Sequence, residues 1–94
     1  MKLELARQRD RILEIAQRYG ASDLRLFGSA ARGEEHPGSD IDILICLQSG
    51  RTLLDLVGLE QELSSLLARK VDVVVEGGIS RYIEPQILAE AVPI

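Results

Sequence analysis

The chain has 94 residues, a formal net charge of −4 and 28% charged side chains, which bounds it to one soluble domain, 1–94, with no room for a second core. The acidic balance disfavours tight nonspecific binding to a polyanion, so stable DNA binding is not expected. A lone cysteine, Cys46, excludes a disulfide framework and points to a reducing compartment, the cytoplasm. The N-terminus is too charged for a signal peptide, and no apolar run reaches the roughly 18 residues that span a membrane.

The first element is a helix from Leu3 to Tyr19, with Leu5, Ile12, Ile15, Ala16 and Tyr19 near one stripe and Gly20 as its cap. A short strand follows from Leu24 to Phe27, stopped by Gly28-Ser29. Ala30, Ala31 and Arg32 add a helical turn that Gly33 ends. Glu34 to Ser39 is a polar loop with a Pro37-Gly38 turn and an exposed His36. Asp40 to Leu47 is a strand; Asp40, Asp42, Leu44 and Cys46 share one face, and Ile41, Ile43, Ile45 and Leu47 the other. Both faces are largely apolar beyond the aspartates, so this strand is central and Cys46 reads as a small buried hydrophobe.

Thr52 to Arg69 is the clearest helix, with a Thr52/Asp55 capping box and a buried stripe of Leu56, Leu59, Leu63, Leu66 and Leu67. Lys70 sits near its C-terminal end, where a cation is favoured. Val71 to Val75 is a third strand that Gly77-Gly78 ends, and Arg81 to Val92 holds one or two helical turns, with Pro85 near a helix start. The fold class is therefore α/β (α+β): a small mixed sheet with flanking helices. The long helix lets the second and third strands run parallel as neighbours, while the first pairs antiparallel.

The chemistry centres on Asp40 and Asp42. Residues two apart on a strand project to one side, and two carboxylates there repel unless a cation compensates. Their separation suits a hard divalent ion such as magnesium. The bland alternative is a solvated strand start, but the strand continues into apolar sequence, which places Asp42 near buried surface. Asp72, second in a run of valines, can face the same cluster if its strand is the neighbour; otherwise it is an edge charge that blocks aggregation. Three acids can position a shared ion and a second held partly by phosphates, and Asp72 is then the candidate base for an attacking hydroxyl.

Gly28-Ser29 supplies the phosphate half. Glycine permits close backbone approach, and Ser29 offers its hydroxyl and N–H. Arg32 can reach a phosphate with its bidentate fork, and Ser39, beside the aspartates, joins the nucleotide-binding set. Alone, a Gly-Ser pair is only a turn; here it precedes the aspartate pair by ten residues. No Walker A loop and no Gly-x-Gly-x-x-Gly fingerprint occurs.

Gly28-Ser29, ten intervening residues, Asp40-x-Asp42 and a later strand aspartate, Asp72, resemble the DNA polymerase beta-like nucleotidyltransferase superfamily. The run Leu-Phe-Gly-Ser-Ala-Ala-Arg-Gly … Gly-Ser-Asp-Ile-Asp-Ile-Leu-Ile is similar to the minimal nucleotidyltransferases, the MNT or MntA-type proteins. The resemblance covers Leu24 to Val75 well. It implies that Gly28-Ser29 holds the nucleotide triphosphate, that Asp40 and Asp42 bind two magnesium ions, and that Asp72 completes the site. It further implies an antitoxin that pairs with a cognate helical HEPN ribonuclease toxin and transfers AMP from ATP to a tyrosine of it. Selection of ATP rests on the resemblance, because no aromatic cluster is available to stack a base. Two alternatives stay open: an antitoxin that neutralises by binding alone, and a nucleotidyltransferase for a small-molecule or RNA acceptor. Oligomeric state, homo- or hetero-, is not set, although a domain this small cannot enclose a substrate and gains from a partner.

Overall fold

The computed structural model describes residues 2–34, 38–78, 82 and 84–94. The Pro37-Gly38 turn in part, His36 and Arg81 fall outside them. The elements are α1 (Lys2–Arg7), α2 (Arg9–Arg18), β1 (Ala21–Phe27), α3 (Gly28–Arg32), β2 (Ile41–Leu47), α4 (Leu53–Leu67), β3 (Val71–Val75), α5 (Glu84–Glu90) and β4 (Val92–Pro93).

The strands form one mixed sheet in the order β3-β2-β1-β4. β2 and β3 run parallel across the α4 crossover, and β1 pairs antiparallel with both β2 and β4. The expected strand pairings are thus present, and a fourth strand joins the three expected. The N-terminal helix differs from its expected single span, because it breaks at Gln8 into α1 and α2. β1 also begins earlier than Leu24. Its register shifts between Ser22 and Arg25, where Asp23 takes a left-handed backbone (φ 54°). This is a bulge, which inserts an extra residue and re-aims its neighbours.

One core gathers the helix-facing side. Ile12, Ile15 and Ala16 of α2 and Leu59, Leu63 and Leu67 of α4 pack with Ile41, Ile43 and Ile45 of β2 and Val71 and Val73 of β3. Leu56 and Leu66 flank that cluster half-buried, so the expected α4 stripe is right in face and graded in depth. Leu59 and Leu63 are fully buried, and truncating either to alanine carries the usual core cost of about 2–5 kcal/mol. α4 starts where expected, with the Asp55 carboxylate accepting the Thr52 N–H at 2.9 Å. Alternation along β2 sends Asp42, Leu44 and Cys46 to the opposite side of the sheet. Leu44 is fully buried there, yet lies outside the main cluster.

Candidate active site

The site forms where three strand ends meet. Phe27, the last residue of β1, pairs with Asp42, and Asp42 pairs with Asp72 across the parallel β2–β3 ladder. Parallel partners in register project to the same side, so Asp42 and Asp72 share the face that α2 and α4 leave uncovered. Asp40 precedes β2 and is exposed; Asp42 and Asp72 are half-buried. The parity of β2 and the parallel neighbour therefore bring together the acids singled out in the sequence.

Gly28 starts α3 immediately after β1, with φ 69°. A Cβ built there would collide with Oδ2 of Asp42 and sit 3.3 Å from its Cγ. The glycine is thus required by the chain's own carboxylate, which lies against the turn. An alanine would meet both a disfavoured backbone and that oxygen.

Burial, followed by the neighbouring charges of Asp72 and Asp40, pushes the Asp42 carboxyl above its ordinary range; Arg32 pulls it down and Glu90 adds to the rise. The positive charge supplied nearby is modest. Lys70 Nζ lies 3.9 Å from Asp40 Oδ2 and 3.9 Å from Asp72 Oδ1, with its side chain 70% exposed. Lys70 therefore sits between two of the acids, beyond the helix-end role expected of it.

Three hard oxygen donors converging from two strands and one loop, with one carboxyl raised by burial and then by its neighbours, have the chemistry of a divalent-cation site of the magnesium type. Their oxygens are loosely gathered. Among the described residues, the group whose ligand atoms all lie within 4.8 Å of one another is instead Asp23, Cys46 and Glu76. That second group already has a cation. Arg25 meets Glu76 Oε2 at 3.2 Å and Asp23 Oδ2 at 3.4 Å, and the Cys46 thiol donates to Glu76 Oε2 at 3.1 Å. Cys46 is thus half-buried among polar groups, not the core hydrophobe that its apolar sequence context suggests.

The phosphate-side residues are placed as follows. Gly28 donates its N–H to Glu90 Oε1 at 2.9 Å. Arg32 donates through Nη1 to both Glu90 oxygens, at 3.0 and 3.1 Å, and through Nε to Glu34 at 3.3 Å. Ser29 is half-buried in α3, and its carbonyl accepts the Glu34 N–H at 2.9 Å. Ser39 accepts from Arg69 Nη2 at its carbonyl and its hydroxyl, both at 2.8 Å. Sequence reasoning missed Glu90 and Arg69. Neither stands in a motif, and both arrive through long-range packing. An apolar recess of about 340 Å³ lies elsewhere, lined by Leu5, Ala6, Arg9, Leu26, Val92, Pro93 and Ile94. None of its lining side chains is acidic.

Acids on adjoining strands beside a glycine turn are an arrangement able to take a cation and, through it, a phosphate. A family model described as the nucleotidyltransferase domain matches residues 9–94. The protein adenylyltransferase MntA of Thermococcus cleftensis is 35% identical over 79 residues, covering 84% of this chain and 80% of that protein. A solved structure provisionally termed a minimal nucleotidyltransferase superposes with a TM-score of 0.86 at 42% identity, covering 96% of this chain and 92% of the other. The crystal structure of a toxin–antitoxin with AMP-PNP superposes with a TM-score of 0.77 at 26% identity, covering 89% of this chain and 69% of that one. The chain belongs to the nucleotidyltransferase domain family, among its minimal members. Among the described residues, no helix is long and apolar enough to cross a membrane.

Proposed function

We propose that this chain is a metal-dependent protein adenylyltransferase of the cytoplasm, the antitoxin of a toxin–antitoxin pair. It transfers AMP from ATP to a tyrosine of a cognate HEPN ribonuclease toxin. The observation that carries the reading is the in-register Asp42–Asp72 pair on parallel strands, with Gly28 packed beneath the Asp42 carboxylate. The likeness to the MntA adenylyltransferase and to a toxin–antitoxin containing AMP-PNP supports the choice of donor and partner.

Asp40, Asp42 and Asp72 would hold two magnesium ions, which supply charge neutralisation for the triphosphate and for the oxygens that gain charge during transfer. Gly28, Ser29, Arg32 and Ser39 bind and orient the triphosphate. Asp72 accepts the proton of the acceptor hydroxyl. The acceptor oxygen bonds to the α-phosphorus, the bond from that phosphorus to the bridging oxygen breaks, and pyrophosphate leaves with the electron pair. The site is an open face on a small domain, so the partner that brings the tyrosine also covers the reacting groups.

The test is incubation of the purified chain with α-labelled ATP, magnesium and the protein encoded beside it. Label should move to that protein, and the transfer should vanish with Asp42→Ala and Asp72→Ala. Full toxin neutralisation by Asp42→Ala without transfer would replace this reading with an antitoxin that acts by binding alone.

A further inference from the structure

Two of the donors assigned to the triphosphate, the Gly28 N–H and the Arg32 guanidinium, are already occupied by the chain itself. The Glu90 carboxylate accepts the Gly28 N–H at 2.9 Å and takes both of its oxygens to Arg32 Nη1, at 3.0 and 3.1 Å. A carboxylate held by a backbone amide and a guanidinium uses the charge-assisted bonds by which the same donors hold a phosphate. Glu90 is also a fourth acid beside Asp40, Asp42 and Asp72, and it cannot share this corner with a triphosphate without adding repulsion.

The placement of Glu90 follows from the C-terminal segment. β4 pairs with β1 through Leu26–Val92 and Arg25–Pro93, and the Ile94 N–H donates to Leu24 O at 3.2 Å. That pairing fixes the chain two residues beyond Glu90 and delivers its side chain to the end of β1, where Gly28 begins. The helix that carries it is less firmly held. α5 contributes no buried residue, and Leu88 is exposed. Elements with few buried contacts open at low free energy, so this one can move while β4 stays paired.

We propose that Glu90 is the in-chain occupant of the triphosphate cradle, and that nucleotide binds by displacing it and releasing the C-terminal end of α5. This rests on the nucleotidyltransferase reading above, and it adds a residue that sets nucleotide affinity. Only the fraction of molecules with Glu90 withdrawn is competent to bind, so the apparent affinity is reduced by that fraction. Loading of the site then reports to α5, on the side of the molecule where a partner must approach the reacting groups.

The experiment is calorimetric titration of the full chain with inorganic tripolyphosphate without metal, and with magnesium AMP-PNP. Glu90→Gln keeps the size and one acceptor oxygen but loses the charge. It should bind both probes about tenfold tighter than the wild type. Glu34→Gln removes a charge that touches Arg32 but not Gly28, and should change affinity less than about twofold. Unchanged or weaker binding by Glu90→Gln, or equal tightening by Glu34→Gln, overturns the proposal while leaving the catalytic reading intact. Absence of binding in the wild type and in Glu90→Gln overturns both. Hydrogen exchange on the wild-type chain gives a readout independent of any variant. The Ala91 amide, bonded to Ile87 O at 2.9 Å, should exchange several-fold faster with saturating tripolyphosphate. Unchanged or slower exchange there contradicts displacement.

Discussion

The sheet face opposite α2 and α4 carries two acidic groups, Asp40, Asp42 and Asp72 at one end and Asp23 with Glu76 at the other, and they are resolved in opposite ways. At one end, Asp42 and Asp72 face each other in register with Asp40 alongside, and the nearest basic group among them, Lys70, stands 3.9 Å from two of the acids and mostly in solvent. At the other end, Glu76 and Asp23 enclose Arg25, whose side chain is only 14% exposed. The thiol of Cys46 donates to Glu76 as well, and with Arg25 it holds the Glu76 carboxyl below its ordinary range. Asp42, by contrast, is raised by burial and by its neighbours. A carboxylate cluster with its own arginine is finished as a structural element. A cluster left with surplus negative charge is a place where an external cation gains binding energy. On charge, the tighter set of ligand atoms is therefore the poorer candidate for a cation, and geometry alone would choose the other end.

The largest expected effect separates the two ends by activity. Asp72→Asn should lower the rate of AMP transfer by about a thousandfold, whereas Glu76→Gln should leave it within about twofold, measured with labelled ATP. A comparable loss in both variants would break the comparison.

A second effect separates them by stability. Arg25→Met strands two carboxylates and should cost about 1–3 kcal/mol in urea unfolding, with transfer retained by the folded fraction. Removing charge from the other end should do the reverse. Asp42→Asn should raise the melting temperature by a few degrees while abolishing transfer, because it deletes a repelled, half-buried charge.

The smallest effect is in the pH dependence, and the signs are opposed. Between its ordinary and its raised value, Asp42 binds more protons folded than unfolded, so its contribution to stability falls as pH rises through that window. Glu76, held below its ordinary value, contributes stability that is present above the unfolded value and lost as pH falls through the folded one. Urea unfolding across the acid range should therefore show a shallower rise of stability with pH in Glu76→Gln and a steeper one in Asp42→Asn.

Much of this was legible in the residues. The i, i+2 aspartates entering an apolar strand fixed their shared face, and the length of the Thr52–Arg69 helix allowed the parallel crossover that sets Asp72 opposite Asp42. Gly28 was legible as a position where a side chain could not stand, although the atom it avoids is Asp42 Oδ2 and not a ligand. The two-residue strand Val92–Pro93 has no period to read; a proline is tolerated in it because on an edge a missing N–H costs nothing. The bulge at Asp23 hid the start of β1, because it interrupts alternation where Ala21 and Ser22 carry little pattern. The helix break at Gln8 has no glycine or proline to announce it. Glu90 and Arg69 were invisible for a different reason: their partners, Gly28 with Arg32 and Ser39, are set by long-range packing that no local window contains.

The central claim is that the Asp40–Asp42–Asp72 end of the face takes the cation and the Asp23–Cys46–Glu76 end does not. Titration of the isotope-labelled chain with manganese, read as paramagnetic broadening of backbone amides, tests it most directly. The account predicts that the Gly28, Asp42 and Asp72 signals are lost at lower manganese than those of Cys46 and Glu76. Loss of Cys46 and Glu76 before Asp42 and Asp72 would contradict it.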